Sequence, residues 1–328
     1  MTMNANVLAW HITTDTATGQ FATDVLDGLR QTPKRLHAKY FYDKEGDQLF
    51  QEIMASPEYY PTRCELEIFR DKTAELAQGM IMGDAFDLIE LGAGDATKSQ
   101  YLLQYLIDSH TDFTYIPIDI SGHILAELQN RLEREIPDLS IHCLEGEYLA
   151  MLDKATTLSS HRKVVMFLGA NIGNMEPREA VSFCSNLQER LQPGDQVLIG
   201  FDLKKHPRTI RNAYDDSAGI TAKFNLNLLK RINRELNGNF ITEQFEHYQT
   251  YDPVTGACKS YLVSLSEQQV TIHNNHFNFG RDEVIYMEVS QKYAIEEMTT
   301  LAGKTGFRPV HNTYDSRHWF ADVCWEVV

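Results

Sequence analysis

Residues 86–99, FDLIELGAGDATKS, put an apolar run, an acid and a Gly-x-Gly turn in the order that a nucleotide-binding strand, turn and helix require. Phe86–Leu91 reads as a buried strand carrying Glu90 near its end. Gly92 and Gly94 allow a tight turn whose backbone approaches a ligand, and a helix is expected from Ala96 onward. A second expected strand, Thr114–Ile118, ends in Asp119, about 25 residues past the turn, near the spacing at which an acid takes ribose hydroxyls. A third pair, Glu147-Tyr148, follows an expected strand at Ser140–Leu144 and would set an acid and an aromatic ring beside an adenine. The plainer alternative is three ordinary strand-end acids that cap helices.

Taken together, the three acids point to a ligand containing adenosine. The third glycine of the dinucleotide fingerprint is missing, and Asp95 would repel a pyrophosphate. S-Adenosylmethionine (AdoMet) is therefore favoured over NAD, because its sulfonium and amino acid tail suit Glu90 and the neighbouring backbone groups.

The elements that must hold these residues alternate. Between 62 and 202 the pattern predicts a helix near Glu65–Gly79, strand 86–91, helix 96–107, strand 114–118, helix 122–135, strands 140–144 and 163–168, helix 177–191 and strand 195–201. Such alternation implies an α/β fold with a parallel, doubly wound sheet and its ligand at the carboxyl ends of the strands. After Asp202 come a long helix, Gly219–Asn237, and alternating segments at Glu243–Asp252, Ala257–Ser264 and Gln269–His273 that read as antiparallel strands of a second domain or large insertion. The tail returns to a helix, Ala294–Lys304, and strands Phe307–Tyr314 and Trp319–Val327, an expected antiparallel edge of the first sheet.

Composition narrows the function classes. The 328 residues suit two modest domains, and no segment approaches the roughly 18–20 apolar residues of a membrane span. A net charge of −16 without a dense Lys/Arg stripe argues against nucleic acid and for a small-molecule substrate. The opening MTMNANVLAWHITTD lacks a basic region followed by an apolar core, so a cytoplasmic protein is expected. Five scattered cysteines (64, 143, 184, 258 and 324) fit neither a disulfide framework nor a structural zinc site. No metal is expected either, His273-Asn-Asn-His276 reading as a polar turn.

Three further regions are unusually polar and aromatic: YFYD at 40–43 with PEYYPTR at 57–63; FLGANIGN at 167–174; and AYDD at 213–216 with EVSQKY at 288–293. With ELGAG at 90–94, they resemble the histidine-specific Nα-methyltransferase family, whose members make the trimethylated histidine precursor of ergothioneine. The resemblance runs from about 33 to about 323. It implies a Rossmann-like class I methyltransferase sheet formed by 62–202 and 287–328, with a second α+β substrate-binding domain formed by 1–61 and 203–286. By motif it assigns AdoMet to Glu90, Gly92, Gly94, Lys98, Asp119, Glu147 and Tyr148, the last pair departing from the family's commoner Asp-Phe. It assigns L-histidine to Tyr59, Gly169, Asn174, Tyr214, Glu288 and Ser290. Asn174 and Tyr214 would take the α-carboxylate and orient the amine, the Gly169 carbonyl would face the amine, and Glu288 with Ser290 would grip the two ring nitrogens. Tyr42, Asn174 and Tyr214 are the expected catalytic residues, and a monomer is expected. Ser260 stands where the family often has an apolar residue, so the floor of the side-chain pocket is expected to be smaller and more polar.

The reaction implied needs positioning more than covalent help: nitrogen, methyl carbon and sulfur in line, and an amine that has lost its proton. Tyr42 and Tyr214 would also face the growing ammonium through cation–π attraction.

Overall fold

Among the described residues, one hydrophobic cluster is built on the sheet that begins at Phe86 and another around the helix at Ile220–Leu236. The structure, a computed structural model, describes residues 9–80 and 83–328. Contacts divide the chain into a larger unit, Tyr60–Lys205 with Ser290–Val328, and a smaller one, residues up to Tyr59 with His206–Val289. The three divisions fall between Tyr59 and Tyr60, between Lys205 and His206 and between Val289 and Ser290, where the sequence expectation breaks at 61/62, 202/203 and 286/287, so Glu288 belongs to the smaller unit.

The larger unit holds a seven-stranded sheet made of β1 (Phe86–Leu91), β2 (Phe113–Asp119), β3 (Leu144–Glu145), β4 (Arg162–Phe167), β5 (Gln196–Asp202), β6 (Phe307–Tyr314) and β7 (Phe320–Val327). Its spatial order is β6-β7-β5-β4-β1-β2-β3. The strands from β5 to β3 are parallel, and β7 runs antiparallel to both β5 and β6. All six residues of β1 and all seven of β5 are buried, as expected for parallel strands covered on both faces. The strand order reverses between β1 and β4, where Glu90 pairs with Pro117 of β2 on one side and Met166 of β4 on the other. That switch point is where an open α/β sheet leaves a crevice at its carboxyl edge. This is the Rossmann-like class I arrangement.

Local chemistry moves several boundaries. The helix expected at 65–79 begins at Pro61, whose fixed φ suits a first helical position, and it breaks at Lys72 into Pro61–Asp71 and Thr73–Gln78. At the break the Lys72 ammonium donates to the Tyr314 carbonyl at 2.5 Å. The helix expected from Ala96 starts at Ser99, because Asp95 accepts the Thr97 amide at 3.0 Å and Ala96 takes a left-handed φ of 51°. The strand expected at 140–144 shrinks to Leu144–Glu145 plus one isolated bridge from Ile141 to Tyr115. The helix expected to reach 191 ends at Gln188.

In the smaller unit the strands are ordered Lys34–Arg35, Val284–Gln291, Ala257–Ser264 and Phe245–Tyr251, the Val284 strand giving its last two residues to the larger unit. Ala257–Ser264 alternates half-buried and buried residues along its whole length, the period of a one-faced strand. A two-stranded ribbon pairs Gln268–Ile272 with Asn275–Phe279, and its turn is His273-Asn274, with His273 at φ 49°; Asn275 and His276, read from the sequence as part of the turn, pair within the second strand. Sequence patterning missed this second ribbon strand, the Val284 strand and the helix Lys44–Ala55. That helix is capped by Asp43, which accepts the Gly46 amide.

Candidate active site

The turn after β1 is shaped for close approach. Gly92 has φ 72° and Gly94 φ 53°, conformations that side chains resist. A Cβ on Gly92 would lie 2.7 Å from the Tyr148 hydroxyl, whereas a Cβ on Gly94 would meet open space. Asp119, at the end of β2, accepts the Gly94 amide at 3.2 Å and the Ser121 amide at 3.0 Å, fixing the second strand end against the first turn. Tyr148 opens the helix Tyr148–Thr156, for which Glu147 is the N-cap residue, and its ring packs edge-on against Phe167. Burial, with Asp119 and Glu147 nearby, raises the Tyr148 hydroxyl above its usual value. Gly92, Gly94, Asp119, Glu147 and Tyr148 are thus brought together. Ile120, directly after Asp119, is 68% exposed and adds an apolar face that strand patterning overlooked.

Glu90 faces inward. Its carboxyl oxygens accept the Ser99 hydroxyl at 2.6 Å and the Tyr115 hydroxyl at 2.5 Å, and burial raises its pKa to about 7. It ties β1 to the first residue of the next helix and to β2, where the sequence expectation had it reaching toward the ligand.

Glu65, on the helix Pro61–Asp71, was not singled out by sequence. It is buried and accepts the Gly169 amide at 2.6 Å with one oxygen and the Lys98 ammonium with the other. Burial, the largest single influence, would lower the Lys98 pKa, but the charge and hydrogen bond of Glu65, joined by the charges of Asp322 and Glu90, together carry the net direction upward. Asp322 of β7 lies in the same polar hollow, where burial and the Glu65 charge push its carboxyl well above the usual range. Neither Asp322 oxygen has a hydrogen-bond partner among the described residues. Gly200 of β5 makes room for both acids, since a Cβ there would fall 2.7 Å from Glu65 Oε1 and 3.2 Å from Asp322 Oδ1.

The loop after β4 turns through two left-handed residues, Gly169 (φ 76°) and Ala170 (φ 56°), into the 3-10 turn Asn171–Asn174. Gly173 packs so closely on Gln291 that an added Cβ would lie 2.8 Å from its carbonyl oxygen. This contact brings the exposed Asn174 turn beside the segment bearing Ser290. Behind Ser290 is a buried network. Lys292, fully buried, donates to Ser290 Oγ at 2.8 Å and pairs with Asp202 Oδ2 at 2.7 Å. Asp202 also accepts the Tyr60 hydroxyl at 2.9 Å and pairs with Lys205 at 2.5 Å. Burial would raise the Asp202 carboxyl, but Lys292 and Lys205 hold it below its ordinary value.

Within the smaller unit, Tyr42, Tyr59 and Tyr214 belong to one aromatic chain. Tyr42 packs edge-on against Phe50 at 5.5 Å, Phe50 against Tyr59 at 6.5 Å, and Tyr59 against Tyr214 at 5.8 Å. Glu288 is half-buried on the strand Val284–Gln291. Ser260 is buried, donates to Gln249 at 2.8 Å and lies 3.3 Å from His247 Nε2, so its hydroxyl is held within the sheet. Burial lowers the His247 pKa.

No cluster of three or more His, Cys, Asp or Glu side chains among the described residues could hold a metal ion. No helix of the described residues is long and apolar enough to cross a membrane.

Residues 21–327 match the family model described as histidine-specific methyltransferase, SAM-dependent. The chain is 35% identical over 306 residues to the histidine N-alpha-methyltransferase of Mycolicibacterium smegmatis, covering 93% of this chain and 94% of that one. To the protein of the same name from Mycobacterium tuberculosis it is 34% identical, covering 87% and 88%. Ergothioneine biosynthesis protein 1 of Schizosaccharomyces pombe is 30% identical over 88% of this chain and 39% of its own length.

Proposed function

The chain belongs to the SAM-dependent histidine-specific methyltransferase family, and from that premise we propose that it methylates the α-amino nitrogen of L-histidine in successive rounds, up to the trimethylated product. It is an AdoMet-dependent methyltransferase acting on histidine. The observation that carries the reading is the joining of Gly94, Asp119 and Tyr148 around one glycine turn at the switch point of the sheet.

AdoMet fits the residues present: Gly92 and Gly94 leave the backbone bare, Asp119 offers acceptors for ribose hydroxyls, and Glu147, Tyr148 and Ile120 offer a polar edge and apolar faces to adenine. When bound it supplies a methyl group on a positively charged sulfur. Lys98, held by Glu65, would supply a positive charge to its carboxylate. For the amino acid, Asn174 and Tyr214 take the α-carboxylate, the Gly169 carbonyl accepts from the amine and aims its lone pair, and Glu288 and Ser290 take the ring nitrogens. Tyr59 lines the side chain. The amine must lose a proton before each transfer, to solvent or through a tyrosine hydroxyl such as that of Tyr42 or Tyr214. The faces of these tyrosines favour the quaternary product by about 0.5–2 kcal/mol.

The same reading makes the enzyme a metal-free cytoplasmic monomer, with neither nucleic acid nor membrane as partner, and places its product in ergothioneine synthesis. The charge of −16 supports the exclusion of nucleic acid.

Mass spectrometry of the purified protein with AdoMet and a panel of amino acids tests it. Histidine should yield mono-, di- and trimethylated products, and Glu288→Ala should remove histidine turnover while AdoMet still binds. Methylation of another amino acid in preference to histidine, or no product at any pH, would overturn the assignment.

A further inference from the structure

Lys292 has no role in the motif comparison, yet it is a fully buried lysine whose ammonium touches a residue assigned to the substrate. Its partners determine what it does there. Asp202 Oδ2, at 2.7 Å, supplies the opposite charge, and Asp202 is itself fixed by Tyr60 and Lys205. An ammonium has three donors and no acceptor, so the 2.8 Å contact to Ser290 Oγ can run in one direction only: Lys292 donates and the serine oxygen accepts. The serine proton then points away from Lys292.

We propose that Lys292, anchored by Asp202, is a positioning residue that polarises Ser290 as a hydrogen-bond donor, so that Ser290 recognises the lone pair of an imidazole nitrogen and leaves the ring N–H for Glu288. The proposal rests on the assignment of Glu288 and Ser290 to the ring. It adds a direction to that assignment: the pair selects a ring with one acceptor and one donor, bound as a single neutral tautomer. Glu288 and Ser290 are two residues apart on one strand, which places their side chains on the same face. A carboxylate has only acceptors, so a serine turned to donate completes the complement of neutral imidazole. The imidazolium ion, with two N–H groups and no lone pair, offers no acceptor to the Ser290 hydroxyl proton.

The test uses the full-length protein with AdoMet present. Lys292→Met and Ser290→Ala should each raise the KM for histidine about tenfold, the scale of a hydrogen bond to a charged or polarised group, with AdoMet affinity unchanged. The double variant should be no worse than the poorer single one, because both remove the same interaction. Should Lys292→Met fail to fold, analogues decide on proteins that keep Lys292. Ser290→Ala should weaken binding of thiazolylalanine, whose ring nitrogen only accepts, and leave pyrrolylalanine, whose ring nitrogen only donates, as it was. The opposite pattern with the analogues, penalties that multiply in the double variant, or equal loss of both substrates on Lys292→Met would overturn the proposal. A wild-type protein that neither binds nor methylates histidine would instead overturn the ring assignment beneath it.

Discussion

Glu65 accepts the Gly169 amide with one carboxylate oxygen and the Lys98 ammonium with the other, tying the loop after β4 to the turn after β1. These loops flank the switch point, so one buried side chain from an outlying helix sets both edges of the crevice. Removing it with Glu65→Ala strands a lysine and an amide together. The expected cost is about 2–3 kcal/mol, below the range for a fully buried pair because Lys98 keeps a quarter of its side chain exposed. Urea unfolding should show that loss, and calorimetry should show weaker AdoMet binding. Glu65→Gln, which keeps an acceptor for Gly169, should fall between the two; a Gln variant as poor as Ala would mean that the amide contact contributes nothing.

Gly92→Ala places a methyl group against the Tyr148 hydroxyl at a positive φ. Backbone strain of about 1–3 kcal/mol is expected, together with a steric clash. Tyr148→Phe removes the oxygen that the methyl group would strike, so it should recover part of the lost AdoMet affinity in the double variant. Affinities that simply multiply would show that the clash is not the cause.

The Glu90 carboxyl, raised by burial to about 7 from an ordinary 4.5, carries a pH signature. Between these values the unfolded chain has released the proton and the native one retains it, so unfolding is favoured as pH rises. The stability contributed by this group is complete below about pH 4.5 and fades toward pH 7, by about 2–3 kcal/mol. Glu90→Gln cannot ionise and should lack that slope. Denaturant titrations at several pH values check this, the variant gaining on the wild type as pH increases.

Tyr42 is 46% exposed at the end of its aromatic chain and still packs on Phe50 and Phe224. Tyr42→Ala should slow the third methyl transfer more than the first, so that dimethylhistidine accumulates, while Tyr42→Phe keeps the ring face and completes the series. Time-resolved mass spectrometry of the three products distinguishes the cases. Equal slowing of all three steps by Tyr42→Ala would remove the cation–π role.

Periodicity made much of the larger unit readable because its strands and helices are long and locally consistent. The strand at Phe86–Leu91 and the helix at Gly122–Glu135 stand where patterning puts them. Patterning erred where a single local bond decides, as at Ala96, where the Asp95 turn delays a helix, and at Lys72, where a distant carbonyl receives the lysine. The glycine turn and Asp119 were legible as two strand ends that belong together, and the Gly94 amide donates to the Asp119 carboxylate. Glu65 and Lys292 were not. A glutamate on a helix and a lysine after a strand look like solvated charges until the fold reveals their partners: Gly169, Lys98 and Asp202, all remote in sequence, and Ser290, two residues from the lysine. Nothing in a one-dimensional pattern distinguishes a buried ion from an exposed one.

Tyr60, Lys205 and Lys292 converge on the Asp202 carboxylate, and they stand at or next to the three places where the backbone enters or leaves the larger unit. The stretch 206–289 therefore departs from and returns to one knot, in the manner of a module spliced into a host through neighbouring ends. The Lys204 amide donates to the Tyr293 carbonyl, so the two ends are already joined in the host, which makes it a natural starting point for exchanging that stretch together with the residues up to Tyr59 that share its core.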